Sequence, residues 1–186
     1  MKPFMALGSG LALAACSAAS TGPAAAPART SARVLGPSQD LSNFAERITA
    51  FHNRVRAEAG VAPLRWDPQL AAAAAAYGPP LATLGGGLAH SPRASRPGQG
   101  ENLWVGTAGA YSIESALDTW AAERSMFRPG IFPAVSTSRW EDVAHYTQMI
   151  WPGTTQVGCA LHRTGRWDYL ICRYAPSGNR DGQRVP

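Results

Sequence analysis

Ala144-His145-Tyr146-Thr147-Gln148-Met149-Ile150-Trp151 is the stretch on which the reading of this chain turns. Its histidine is one of only four in the sequence. An imidazole is both a titratable group and a metal ligand, and here it is flanked by a tyrosine and a threonine in a segment that closes on tryptophan. At helical spacing His145 shares a face with Gln148 and Met149. Working outward toward the N-terminus, Trp120 and Glu123 stand one helical turn apart and so project to similar sides. Upstream of these lie Gly100-Glu101-Asn102-Leu103-Trp104 and His90-Ser91. Two histidines and two glutamates, each inside its own short motif, are the materials of a polar cleft.

Other motifs stand in order around these. Phe51-His52-Asn53 is followed by Arg56, then by Pro63-Leu64-Arg65-Trp66-Asp67. The chain closes on Leu170-Ile171-Cys172-Arg173-Tyr174-Ala175-Pro176-Ser177-Gly178-Asn179. Any one of them arises by chance; together and in register they do not. With them the chain resembles the CAP superfamily, the cysteine-rich secretory, antigen 5 and pathogenesis-related 1 proteins. The resemblance implies an α+β fold, a three-layer α-β-α sandwich with an antiparallel central sheet. It also implies a cleft tetrad of His90, Glu101, Glu123 and His145. His90 and His145 would be the ligands of zinc or another divalent cation, while His52 would have a structural role. Two positions depart from the family pattern. Ala144 stands where glycine or a charged residue usually precedes the signature histidine, and Arg180 follows Gly178-Asn179 where an apolar residue is common.

Local patterns supply the elements. Leu41, Phe44, Ile48, Phe51 and Val55 step by three and four, the period of an amphipathic helix, which Gly60 ends from the left-handed conformation. Asp67-Pro68 is a helix start, an N-cap carboxylate followed by proline at N1. The alanine run from Ala71 to Ala76 continues it, and Gly78-Pro79-Pro80 should stop it. A Gly/Pro/Ser/Arg stretch then runs to Gly100, so His90, Glu101 and Asn102 are expected on or beside irregular segments. Ser112 caps a helix burying Ile113, Ala116, Leu117 and Trp120. Strand patterns come last, at 157–161 and 169–174.

The N-terminus is read as a targeting segment outside the fold. Lys2 precedes an apolar run from Phe4 to Ala15 that is too short to span a membrane. Leu13-Ala14-Ala15-Cys16 resembles a bacterial lipoprotein signal, so residues 1–15 are expected to be removed and Cys16 to carry lipid. The alternative is an ordinary secretory signal with Cys16 incidental. Residues 16–38, rich in Ala, Pro, Ser and Thr, cannot bury enough surface to offset their ordering entropy and read as a disordered tether. The CAP domain is expected over 39–180, with 181–186 as a tail.

If Cys16 is lipidated, Cys159 and Cys172 remain as a pair in a compartment where disulfides persist. A hairpin centred on Arg163-Thr164-Gly165-Arg166-Trp167-Asp168 would set them opposite each other. Net charge is +5, with Lys2 the only lysine. The mature protein is therefore basic through arginine, which pairs with carboxylates and phosphates. The arginines are scattered, without a basic stripe or interleaved aromatics, so nucleic acid is not the expected partner.

The expected product is an exported protein, lipid-anchored in the cell envelope, that binds an unidentified envelope ligand through a His/Glu cleft competent for a divalent metal. A metal-assisted hydrolase acting on a wall or secreted polymer is the alternative. No G-x-S-x-G turn supports a serine nucleophile, and catalysis is the less favoured reading. A lipid- or sterol-binding surface using Trp104, Tyr111 and Phe127, or a purely structural interaction module, remain as further alternatives.

Overall fold

The protein is described here by a computed structural model over residues 41–186. The expected signal segment 1–15, Cys16 and the expected tether to residue 38 lie outside the described residues. The elements run α1 (Phe44–Glu58), β1 (Arg65–Trp66), α2 (Pro68–Ala82), β2 (Gly100–Thr107), α3 (Ile113–Ala122), β3 (Gly130–Ile131), α4 (Ala144–Met149), β4 (Gln156–Arg163), β5 (Trp167–Ala175) and β6 (Arg184–Val185). The main sheet has the order β1-β4-β5-β2. It is antiparallel across β4, β5 and β2, and the two-residue β1 joins β4 in parallel.

Strand alternation divides the core in two. Leu103, Tyr169 and Ile171 face α2 and pack on Ala74 and Leu81. Val157, Cys159, Leu170, Cys172 and Tyr174 face the other way, into the layer of α1, α3 and α4. The three layers are therefore α2, the sheet, and the remaining helices. Both faces of β5 are covered, which is why 168–174 is buried without a break. Gly158 on β4 lets α2 approach: a Cβ there would stand 2.3 Å from the backbone nitrogen of Ala71.

Several local expectations hold. Gly60, with φ of +70°, follows α1; Asp67 caps α2 through the amides of Gln69 and Leu70; Ser112 caps α3. Cys159 pairs with Cys172 in the β4–β5 register and forms a disulfide with it, Cα–Cα 4.1 Å. Leu41 lies outside α1 and is exposed.

Two expectations are corrected. Helix α2 does not stop at Gly78-Pro79-Pro80 but runs to Ala82, with both prolines inside it. Pro79 and Pro80 are exposed, as are Ala75 and Ala76, whose carbonyls they leave without a donor. Water can serve those carbonyls. On the inner side Gly78 sits against His162 and Leu81 is fully buried, so packing on the sheet outweighs the loss of two hydrogen bonds. Second, the strand patterns left out β2: Glu101 and Asn102 open it, beside the irregular segment that holds His90. All eight residues of β2 pair with β5, and Glu101 stands directly opposite Arg173. Glycine, glutamate and asparagine are poor strand formers, but this cross-strand ion pair and full pairing to a central strand override that bias. The segment 181–186, set apart above as a tail, also contributes β6, which pairs with β3 and places Val185 in the core.

Candidate functional site

The four residues expected to share a cleft occur as two histidine–carboxylate couples. Glu123, at the end of α3, reaches the start of α4. Its Oε2 accepts from the backbone amides of His145 and Tyr146, both at 3.0 Å. These are the second and third residues of a helix whose own N-cap, Val143, provides no side-chain cap. Glu123 thus does from a distance what an N-cap side chain does locally. Its Oε1 accepts from His145 Nδ1 at 2.6 Å. The imidazole is further fixed by stacking on Trp120, with ring centroids 5.8 Å apart and planes 12° from parallel. Trp120 and Glu123, one turn apart, meet at the same ring.

The second couple forms at the start of β2. Glu101 Oε1 accepts from His90 Nδ1 at 2.8 Å and from the Ser91 amide at 2.9 Å. Its Oε2 accepts from Ser91 Oγ at 3.0 Å and pairs with Arg173 Nη2 at 3.1 Å. The Glu101 side chain is 0% exposed while that of His90 is 56% exposed. Burial pushes the Glu101 carboxyl upward, but the His90 bond, the Arg173 charge and the Ser91 donors outweigh it and hold the group below the ordinary glutamate range.

Asn102 joins the two couples. Adjacent strand residues face opposite sides, so Glu101 turns toward Arg173 and the α2 layer while Asn102 turns toward α4. There the Asn102 amide donates to the carbonyl of His145 at 3.1 Å and to Tyr174 Oη at 3.2 Å. Tyr174 in turn meets His52 Nε2 at 2.9 Å, and His52 Nδ1 is 2.8 Å from the carbonyl of Ile48. His52 is fully buried and lies outside the two couples, a packed core histidine.

In each couple the carboxylate accepts at Nδ1. In the neutral ring this fixes the proton on Nδ1 and leaves the lone pair on Nε2. Neither Nε2 has a hydrogen-bond partner among the described residues. The His145 side chain is 33% exposed, less than that of His90. An imidazole with a free Nε2 lone pair is a donor of the type divalent zinc takes. No group of three or more His, Cys, Asp or Glu side chains suited to a metal is present among the described residues. A hollow of about 590 Å³ lined by Arg54, Glu58, Asp118, Arg124 and Tyr146 flanks the Glu123 couple and contains none of the four residues. Trp104, Tyr111 and Phe127 pack as two separate edge-to-face pairs, Trp104 on Tyr111 and Phe127 on Tyr146.

The chain matches the family described as CAP, the cysteine-rich secretory protein family, over residues 49–174. The chain belongs to the CAP family. CAP relatives include a pathogenesis-related protein of PR-1 type from Sambucus nigra, 33% identical over 135 residues, covering 72% of this chain and 76% of the relative. Pathogenesis-related protein 1A from Nicotiana tabacum is 34% identical over 152 residues, covering 81% and 85%. In structure the chain is similar to NaASP2, crystallised with Zn2+, at a TM-score of 0.64 and 20% identity, covering 81% and 88% of the two chains. It is similar also to BmVAL-1, at 0.61 and 22% identity, covering 81% and 85%. The matched residues 49–174 contain all four cleft positions and both cysteines of the disulfide.

Sequence motifs named Ser91, Asn102, Arg173 and Tyr174 without assigning them work at the site. Arg173 and Tyr174 carried a usable signal: a cation and a phenol ending the apolar run Tyr169-Leu170-Ile171-Cys172. A strand so hydrophobic is buried on both faces, and its polar residues then need partners.

Proposed function

We propose that this protein is an exported CAP-domain binding protein that holds a divalent cation between His90 and His145, with Glu101 and Glu123 as the carboxylates that orient the two rings. The observation that carries the reading is the shared geometry of the couples: Nδ1 on a carboxylate, Nε2 without a protein partner. Carboxylate–imidazole couples of this kind fix the tautomer and raise ligand basicity at metal sites. A structural neighbour was crystallised with Zn2+, which supports zinc as the first cation to try. Bound there, the cation would supply a Lewis acid and lower the pKa of a coordinated water. With two protein ligands the site should bind more weakly than a closed four-ligand zinc site.

Binding is favoured over hydrolysis because the carboxylates are already committed. Glu101 has no exposed side-chain surface and four contacts from three residues, His90, Ser91 and Arg173. Glu123 uses both oxygens on His145 and Tyr146. Neither is placed as a free general base.

Zinc titration by calorimetry, comparing wild type with the His90→Ala/His145→Ala double variant, tests this reading. Saturable binding that the double variant loses is the expected result; equal binding by both proteins overturns it. The envelope location rests on Leu13-Ala14-Ala15-Cys16. Cys16→Ser should move the protein from the membrane to the soluble fraction, and continued anchoring would reject the lipid assignment.

A further inference from the structure

Among the described residues, the buried side-chain atoms without a hydrogen-bond partner are Gln99 Oε1, Arg173 Nε and Arg173 Nη1. Arg56 is a useful contrast. It is equally buried, yet its guanidinium donates to the carbonyls of Ala62, Met149, Trp151 and Thr154. Arg173 has one acceptor, Glu101 Oε2 at 3.1 Å, and its side chain is 3% exposed. That carboxylate is not Arg173's alone: Arg96 Nε stands 3.9 Å from the other oxygen. Arg96 otherwise donates only to the carbonyls of Ser91 and Gln99. Two guanidinium charges therefore face one carboxylate. A buried charge without a counter-charge is costly, and unsatisfied N–H groups in a native fold call for a partner. Water would serve the donors but not the charge.

Gln99 belongs to the same place. It precedes β2 by one residue, so strand alternation puts it on the face of Glu101 and Arg173, a diagonal step from Arg173. Its amide oxygen and nitrogen are interchangeable by a flip. Turned over, it offers a third N–H donor to the same niche. We propose that Arg96, Gln99 and Arg173 form a binding site for one small oxyanion, a carboxylate or a phosphate group. The anion supplies the missing negative charge and accepts from Arg173 Nη1 and from Arg96 Nη2, which makes no hydrogen bond among the described residues.

Tyr77 closes the site. Its ring lies over the Arg173 guanidinium, centroid to Cζ 5.7 Å, and its hydroxyl donates to the carbonyl of Ala89 at 2.7 Å. That hydrogen bond and packing against the Leu81–Tyr169 cluster hold the cover, and rotation of the ring about χ1 would uncover Arg173. The cation–π contact is a placeholder that an oxyanion displaces, since a full negative charge attracts a guanidinium more strongly than a ring quadrupole does. The site needs no metal and does not depend on the two imidazoles as ligands.

Calorimetric titration of the full chain in the presence of a chelator, with inorganic phosphate in one arm and acetate in the other, tests the site. Saturable binding in at least one arm is expected. Arg96→Gln should weaken it about tenfold, the loss of one charge-assisted hydrogen bond. Arg173→Met should abolish it, and Tyr77→Ala should tighten it by removing the cover. Should Arg173→Met fail to fold by circular dichroism, Arg96→Gln and Tyr77→Ala carry the test alone. The arm that saturates at lower concentration identifies carboxylate or phosphate. Absence of saturable binding in both arms, or binding unchanged by Arg96→Gln and Tyr77→Ala, overturns the proposal.

Discussion

Replacing Glu123 by glutamine keeps the shape of the side chain and removes its charge and one of its two acceptor oxygens. In the native protein Oε2 takes the amides of His145 and Tyr146 and Oε1 takes His145 Nδ1. A glutamine can keep its oxygen on the backbone pair or on the imidazole, not on both. If it keeps the imidazole, its NH2 group faces two backbone donors; if it keeps the backbone pair, its NH2 faces Nδ1, which can accept only with the ring proton moved to Nε2. Losing a hydrogen bond to a charged, largely buried group costs about 1.5–3 kcal/mol, and an unsatisfied donor adds to this. Loss of an N-cap interaction is worth about 1 kcal/mol in the same direction. Because these contributions overlap, Glu123→Gln should destabilise by about 2–4 kcal/mol. Urea denaturation followed by tryptophan fluorescence reads this as a lower midpoint at unchanged slope. If the glutamine oxygen stays on the backbone pair, its NH2 meets Nδ1 and drives the proton to Nε2. Zinc affinity should then fall roughly 10–100-fold. A loss of stability below about 0.5 kcal/mol, the range of an ordinary surface change, together with unchanged zinc affinity, would refute the paired capping and orienting role of Glu123.

The remaining predictions concern pH and the disulfide. Burial, aided by the Arg56 charge and opposed by the Ile48 carbonyl, lowers the His52 pKa from 6.5 to about 4. The unfolded chain therefore binds a proton at this residue below pH 6.5 that the folded chain refuses until about pH 4. Stability present above the unfolded value should fall across that window as pH drops, by roughly 3 kcal/mol from this residue. Urea midpoints at both ends of the window measure it; a His52→Gln variant should show a shallower slope, and an equal slope would contradict the assignment. Replacing Cys159 and Cys172 together by alanine opens a loop with a sequence separation of 13. Loop closure of this length contributes about 3 kcal/mol, so Tm should drop by roughly 6–12 °C in a calorimetric scan. A drop of under 2 °C, by the same roughly 2–4 °C per kcal/mol, would show that the β4–β5 ladder alone fixes this pairing.

The fold was legible wherever one residue sets a local conformation. Asp67, Ser112 and Gly60 announced the helix ends they make, and the spacing of Cys159 and Cys172 about a turn gave the hairpin register. Legibility failed where partners distant in sequence override local bias. Pro79 and Pro80 read as a stop because the sequence does not show that Gly78 and Leu81 are held against the sheet. β2 was hidden because Glu101 looks like a surface residue until Arg173 stands across from it. At the site, the residue types were readable from motifs, but the division of labour was not. The sequence offered Glu101 and Glu123 only as members of a tetrad, without showing which histidine each one meets. The hydrogen bonds pair one with His90 and the other with His145, with Asn102 tying the couples together.

The most direct measurement is anomalous diffraction at the zinc edge from crystals of the wild-type protein soaked in a zinc salt. A single peak about 2.0–2.1 Å from Nε2 of both His90 and His145 is the predicted result. A peak on either nitrogen alone, or none near the two rings while zinc is bound elsewhere, would contradict a shared metal site.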